Sequence, residues 1–406
     1  MTGNTDVVVI GGGYAGVMAA NRLTQRDDVT VTLINPRPAF VERIRLHQLV
    51  GGSDDAVVEF KDVLADRVRL VVDTVTRIDA PERSVALATG GAIGYDYLVY
   101  AVGSGSADQG VPGAAEFAYP TASLEQAQRL RSVVDGAPAT ASMTVVGGGP
   151  LGIEIASELA ELGRTVTLVC GEQLGPYLHP RARRSVAKEL SRLGVTVLEG
   201  PGSKVTTVTR DAVRLSDGRQ LPSAVTIWAA GFGVPDLAGP SGLTTDAVGR
   251  LLTDETLTSV DDERIVATGD AATPSGLPLR MSCQAALPLG SHAADTVLSR
   301  IAGEQPEDFT KGIAAMCVSL GRRAGVFQLS HRNDIATRFY IGGRTGAKLK
   351  EAANTSPIQQ LAGEARKPGS HVWWVKESKL FRGEGMSRKW REQRLQAERG
   401  KALTTR

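Results

Sequence analysis

Residues 7–20 read VVVIGGGYAGVMAA, and residues 144–159 read TVVGGGPLGIEIASEL. Gly11, Gly13 and Gly16 in the first, and Gly147, Gly149 and Gly152 in the second, keep one spacing, GxGxxG. Each copy follows a run of β-branched residues and opens a stretch that reads as helix. A second β run follows each, at residues 29–34 and 165–169. That order of strand, turn, helix and strand separates the motif from a chance match. The first glycine makes the tight turn, the second lets the backbone approach a pyrophosphate, and the third lets helix and strand pack closely. The pyrophosphate then faces the unpaired N–H groups at the helix N-terminus. A lone copy has a bland alternative, the Gly-rich turn of some other α/β fold. Two copies in full context make that alternative hard to sustain.

Working outward, residues 95–104 (YDYLVYAVGS) and 223–232 (SAVTIWAAGF) are strands that end in a small residue and glycine, at Gly103 and Gly231. Residues 264–271 (RIVATGDA) form a third such strand, ending at Gly269 and Asp270, with a helical run from about residue 282. Asp270 stands where it accepts a hydrogen bond from a sugar-chain hydroxyl, or else serves as an N-cap.

The 406 residues are enough for two or three domains. A net charge of +2 argues against a general nucleic-acid binder. The three cysteines, Cys170, Cys283 and Cys317, form no CxxC pair, so neither a metal site nor a dithiol centre is indicated. An odd cysteine count and a short polar start fit a reducing cytoplasm. No apolar run approaches the roughly 18 residues a membrane span needs, so membrane contact is expected only from the side.

Taken in order, GGGYAG, YDYLVYAVGS, GGGPLGIE, IWAAGF and ATGDAA resemble the two-dinucleotide-binding-domain flavoprotein family. Within it the chain looks most like the type II NADH:quinone oxidoreductases and apoptosis-inducing-factor-like reductases, over about residues 5–350. The resemblance implies an α/β fold with two Rossmann-like dinucleotide-binding domains, the second inserted in the first, and a C-terminal α+β domain. FAD is implied at Gly11, Gly13, Tyr14, Ala15 and Gly16, with Gly103, Gly269 and Asp270. NADH or NADPH is implied at Gly147, Gly149, Gly152 and Gly231. The implied division is residues 1–110 and 235–310 for FAD, 111–234 for the inserted domain, 311–362 for a C-terminal interface domain and 363–406 for a tail. Hydride then passes from coenzyme to flavin and electrons go on to an acceptor, with the cofactor doing the chemistry. A homodimer is the implied assembly.

The pattern is broken in four places. The acid that binds a ribose after the second strand is replaced by Asn35, followed by Pro36, although an amide oxygen still accepts one hydrogen bond. At the second fingerprint Cys170 takes that place; Glu172 favours NADH, and Arg181, Arg183 and Arg184 favour the NADPH phosphate unless they are a solvated helix start. Residues 40–51 (FVERIRLHQLVG) hold no cysteine where the disulfide reductases of the superfamily carry their redox pair. Electrons are therefore expected to leave the flavin directly. Arg43, Arg45 and His47 either line the flavin face and stabilise a reduced ring or form a polar helix stripe. Finally, Gln284 matches a glutamine of quinone-reducing relatives, while the later glutamines are missing. Glu154 matches a family acid near the nicotinamide–flavin junction, or is a first-turn carboxylate held by the helix dipole.

Residues 363–406 hold 12 Lys/Arg against 5 Asp/Glu, with Trp373, Trp374, Phe381 and Trp390 interspersed. Such a tail suits an interfacial membrane segment or an arm draped over a partner subunit or the active site. The reading as a whole is an FAD-dependent NAD(P)H oxidoreductase with a quinone-like acceptor. The rivals are a reductase of a small iron–sulfur protein, as ferredoxin reductases are, and a redox-dependent binding protein.

Overall fold

The structure is a computed structural model, and it describes residues 4–107, 110–274, 279–310, 312, 315–331 and 334–370. The four aromatic residues of the tail lie outside the described residues. Two five-stranded parallel sheets dominate. In chain order the strands are β1 (Thr5–Ile10), β2 (Val29–Asn35), β3 (Val68–Val72), β4 (Tyr97–Tyr100), β5 (Ala118–Pro120), β6 (Ser142–Val146), β7 (Thr165–Val169), β8 (Thr196–Leu198), β9 (Val225–Trp228) and β10 (Ile265–Ala267). The first sheet runs β10-β4-β1-β2-β3 and the second β5-β9-β6-β7-β8. The fingerprint strands β1 and β6 sit at the centre of their sheets, each between the strand that follows its helix and a strand from much later in the chain. The sequence repeat is thus a repeat of topology. Central strands covered on both faces should read as continuous apolar runs, and Val7, Val8 and Val9 and Met143 and Val145 are all buried.

Six helices matter for the site: α1 (Tyr14–Leu23), α2 (Leu46–Gly51), α3 (Leu124–Gly136), α4 (Pro150–Glu161), α5 (Cys283–Ile301) and α6 (Gly343–Arg366). α1 and α4 follow the two glycine turns. The turns repeat atom for atom: a Cβ on Gly16 would overlap the Gly11 carbonyl, and one on Gly152 would overlap that of Gly147. Gly11 and Gly147 both have φ above +100°, which L side chains rarely adopt. These glycines bring each helix onto its strand.

A three-stranded antiparallel sheet, β11 (Ala315–Leu320), β12 (Ala324–Ser330) and β13 (Ala336–Ile341), packs with α6 beside the second sheet's core. α6 continues to Arg366, so the expected start of the tail at residue 363 falls inside a helix. Among the described residues no helix is long and apolar enough to cross a membrane.

Candidate active site

One cleft of about 1270 Å³ runs from the first glycine turn to the second. At the first end it is lined by Gly13, Tyr14 and Ala15, by Arg43 and Gly103, and by Gly269 and Asp270. At the other end stand Gly147, Gly149, Glu154, Cys170 and Gly231. Gln284 lines it too, exposed in the first turn of α5. Gly11, Gly16 and Gly152 do not reach the cleft wall; they shape the turns behind it.

The cleft fits two dinucleotides on its own chemistry. Gly13 and Gly149 are the N-caps of α1 and α4, and neither helix start has a side-chain cap. A Cβ on either glycine would meet nothing within 4 Å. Each helix therefore presents bare first-turn N–H groups to open space, a ready site for an anionic pyrophosphate. Tyr14 is buried at the cleft wall with its ring edge-on to Phe40, the centroids 5.0 Å apart. Asp270 accepts from Ser104 Oγ at 2.7 Å and stands 3.7 Å from Arg43 Nη1. It lies in a short 3-10 turn, and the cap of α5 is Ser282 instead, so Asp270 is free of that helix.

Several residues sit differently from what their spacing suggests. Asn35 is buried outside the cleft lining, accepting from the Gly12 N–H at 2.9 Å and donating to the Arg37 carbonyl at 2.8 Å. Its amide holds the glycine turn in shape. Pro36 is exposed beyond it. Glu172 is exposed and Arg181, Arg183 and Arg184 do not line the cleft. Arg45 turns away from the cleft, to Glu42, Gln48 and Glu351, whereas Arg43 and His47 line it. The Arg43–Arg45 segment is a 3-10 turn, and its tight pitch sends neighbouring side chains in different directions.

Glu154 is not a first-turn carboxylate, because α4 begins at Pro150. It is the hub of a buried polar cluster. Its Oε1 lies 3.0 Å from Lys350 Nζ and accepts the Ser319 N–H at 3.1 Å, and its Oε2 lies 3.6 Å from His47 Nδ1. His47 Nε2 and Ser319 Oγ are 3.2 Å apart. Burial alone would raise the Glu154 pKa, but the Lys350 ammonium and His47 outweigh it and hold the carboxylate ionised. Burial pushes His47 down to about 4, so it is a neutral imidazole near neutral pH. Burial also works against the Lys350 charge, and Glu154 more than restores it. Sequence spacing missed Lys350, which comes from α6 almost two hundred residues after Glu154. No local spacing signals it.

Cys283 and Cys317 line the same cleft as free thiols. Burial raises Cys283 to about 11 and raises Cys317 as well, so neither is a thiolate near neutral pH. Among the described residues no group of three or more His, Cys, Asp or Glu is placed to hold a metal ion.

Two parallel sheets with helix-borne glycine turns opening on one cleft define a protein of the doubly wound class built to bind dinucleotides. The chain belongs to the pyridine nucleotide-disulphide oxidoreductase family, whose model matches residues 5–292. It is 31% identical over 326 residues to an NADH dehydrogenase-like protein of Mycobacterium tuberculosis, covering 73% of this chain and 80% of that one. It is 26% identical over 399 residues to the type II NADH:quinone oxidoreductase of Staphylococcus haemolyticus, covering 88% of this chain and 96% of the relative. Among solved structures, the sulfide:quinone oxidoreductase of Aquifex aeolicus matches with a TM-score of 0.75 at 19% identity, over 90% of this chain and 93% of that one. NDH2 of Plasmodium falciparum in complex with NADH matches with a TM-score of 0.74 at 14% identity, over 91% and 99%. The chain is a flavoprotein oxidoreductase that uses FAD and a nicotinamide coenzyme.

Proposed function

We propose that the chain passes hydride from NADH or NADPH to FAD and delivers the electrons directly to a quinone or quinone-like acceptor, without a redox disulfide. FAD belongs to the first glycine turn, with Asp270 accepting from its sugar chain, and the coenzyme to the second, at Gly149. FAD supplies the two-electron chemistry; the residues around it bind, orient and exclude water. The division of the chain follows, with residues 111–234 serving the coenzyme.

The observation that carries the acceptor is the wall of the cleft. Residues 40–51 bring Arg43, Leu46 and His47 to it, in place of a thiol pair. The cleft lining also carries the apolar side chains Leu287, Met316, Phe327 and Pro357, the thiols Cys283 and Cys317, and the polar Glu154–His47–Lys350 cluster. A flat apolar molecule with polar oxygens suits such a lining. The name of the Staphylococcus haemolyticus relative supports the same acceptor class. Reoxidation of the coenzyme-reduced enzyme by a panel of quinones, dioxygen and a small iron–sulfur protein tests it. Quinones should react fastest; preference for the iron–sulfur protein would replace this reading with the ferredoxin-type one.

A further inference from the structure

The Lys350–Glu154–His47 cluster is buried, yet the reaction must draw a proton from water. NAD(P)H gives a hydride, and a quinone takes two electrons and two protons to become a quinol. The balance is NAD(P)H + H⁺ + quinone → NAD(P)⁺ + quinol, so one proton per turnover comes from solvent. This inference rests on the quinone reading above.

Three carboxylates descend α4 from the cleft: Glu154, Glu158 and Glu161. Spacings of four and three residues put them on one helix face as successive neighbours. Glu154 lines the cleft, Glu158 is buried at 3% exposure, and Glu161 is exposed. Arg322, on the turn between β11 and β12, binds Glu158 through its guanidinium at 2.5 Å. Its backbone N–H donates to Glu161 Oε2 at 2.7 Å. Two glycines leave space for these side chains. A Cβ on Gly51, at the end of α2, would come within 2.6 Å of Glu158 Oε2, and a Cβ on Gly321 would overlap the Glu161 carboxyl.

We propose that Glu158 and Glu161 form the proton route from solvent to the Glu154–His47–Lys350 cluster, with Glu158 as the buried intermediate carboxylate. The groups that face Glu158 are Arg322 from the β11–β12 turn, Gly51 from α2, and Glu154 and Glu161 on its own helix. Burial raises the Glu158 pKa to about 7; Glu161 and Glu154 add to the rise and Arg322 opposes it. A carboxylate in that range takes up and releases protons near neutral pH. Arg322 cannot relay, because a guanidinium does not give up its proton; it holds the two carboxylates in line. Glu158 touches neither coenzyme nor acceptor site in this arrangement and acts through Glu154.

The test compares two acceptors in the FAD-loaded enzyme. Ferricyanide takes electrons without protons, and a soluble short-chain quinone takes both. Glu158→Gln should slow quinone reduction at pH 7 by about ten-fold or more and remove the ionisation near neutrality from its pH profile. Ferricyanide reduction by the same variant should stay within about two-fold of wild type, since this acceptor draws no proton from solvent and the single proton of the hydride is only released. Glu158→Asp should restore part of the quinone rate. Glu161→Gln, at the exposed end where folding is not at stake, should slow the quinone by about three-fold and spare ferricyanide. Equal losses with both acceptors, or an unchanged quinone rate and pH profile, would overturn the route. A wild type that reduces ferricyanide but no quinone overturns the acceptor reading and the route with it.

Discussion

Lys350 Nζ and Glu154 Oε1 are 3.0 Å apart, and both side chains are buried. The pair ties α6, near the end of the described chain, to the helix of the second glycine turn. Removing one partner from a buried ion pair costs about 3–5 kcal/mol, because the other charge is left uncompensated. Lys350→Met should therefore lower stability by about 3 kcal/mol in urea unfolding, at constant FAD content. Adding Glu154→Gln should recover part of that loss. Additive losses in the double variant would show that the two groups do not interact.

His47 shares the same floor and gives a pH signature. Burial holds its pKa at about 4, against an ordinary value of 6.5. Between these values the unfolded chain binds a proton that the folded chain does not. Stability thus rises with pH across this window and is lost as pH falls from 6.5 towards 4. His47→Asn should flatten that part of the curve of urea midpoint against pH. An unchanged slope would mean that His47 is protonated in the folded protein.

Two glycines of the second turn predict opposite failures. A Cβ on Gly149 meets open space, so Gly149→Val should fold, keep FAD and reduce its flavin with NADH or NADPH much more slowly. Gly152→Ala puts its methyl against the Gly147 carbonyl and should lower the melting temperature. If Gly149→Val loses FAD and keeps coenzyme affinity, the two sites have been assigned in reverse order.

Asp270 lines the cleft and accepts from Ser104, and we propose it as an acceptor for the flavin's sugar chain. Asp270→Ala should weaken FAD retention by about 1–3 kcal/mol, the loss expected for a hydrogen bond to a charged group. FAD titration of the apoprotein measures it directly. Retention equal to wild type would remove Asp270 from the site.

Much of this arrangement was legible in the sequence. Gly11 and Gly147 announced both turns because spacing and backbone geometry are one constraint, and the strand ends at Gly103, Gly231 and Gly269 fell beside the same cleft. Asn35 shows two uses of one position, since a polar side chain after a strand can bind a ligand or its own backbone, and its amide oxygen accepts here from the Gly12 N–H. Arg43, Arg45 and His47 part company because Arg43–Arg45 is a 3-10 turn, which leaves Arg43 and His47 in the cleft lining and pairs Arg45 with Glu42 and Glu351. Lys350 and Ser319 were invisible because they reach Glu154 through packing of the C-terminal sheet and helix. No local pattern records that contact. Glu158 was hidden for a different reason: no motif spacing marks it, and only burial beside Arg322 sets it apart.

The cysteines supply a further expectation. Burial keeps Cys283 and Cys317 protonated, and Cys170 is pushed up to about 12. Replacing all three by Ala or Ser should leave quinone reduction within a few-fold of wild type, since the thiolate is the reactive form. A collapse of turnover at normal FAD content, traced to Cys283 or Cys317, would reveal a thiol relay in the cleft.

The most direct measurement is anaerobic mixing of the FAD-loaded protein with NADH and, separately, NADPH, following flavin absorbance. Two dinucleotide sites opening on one cleft require that at least one coenzyme bleach the flavin in a single rapid phase, and that a quinone then restore the oxidised spectrum. A protein that binds FAD yet stays oxidised with both coenzymes would contradict that arrangement.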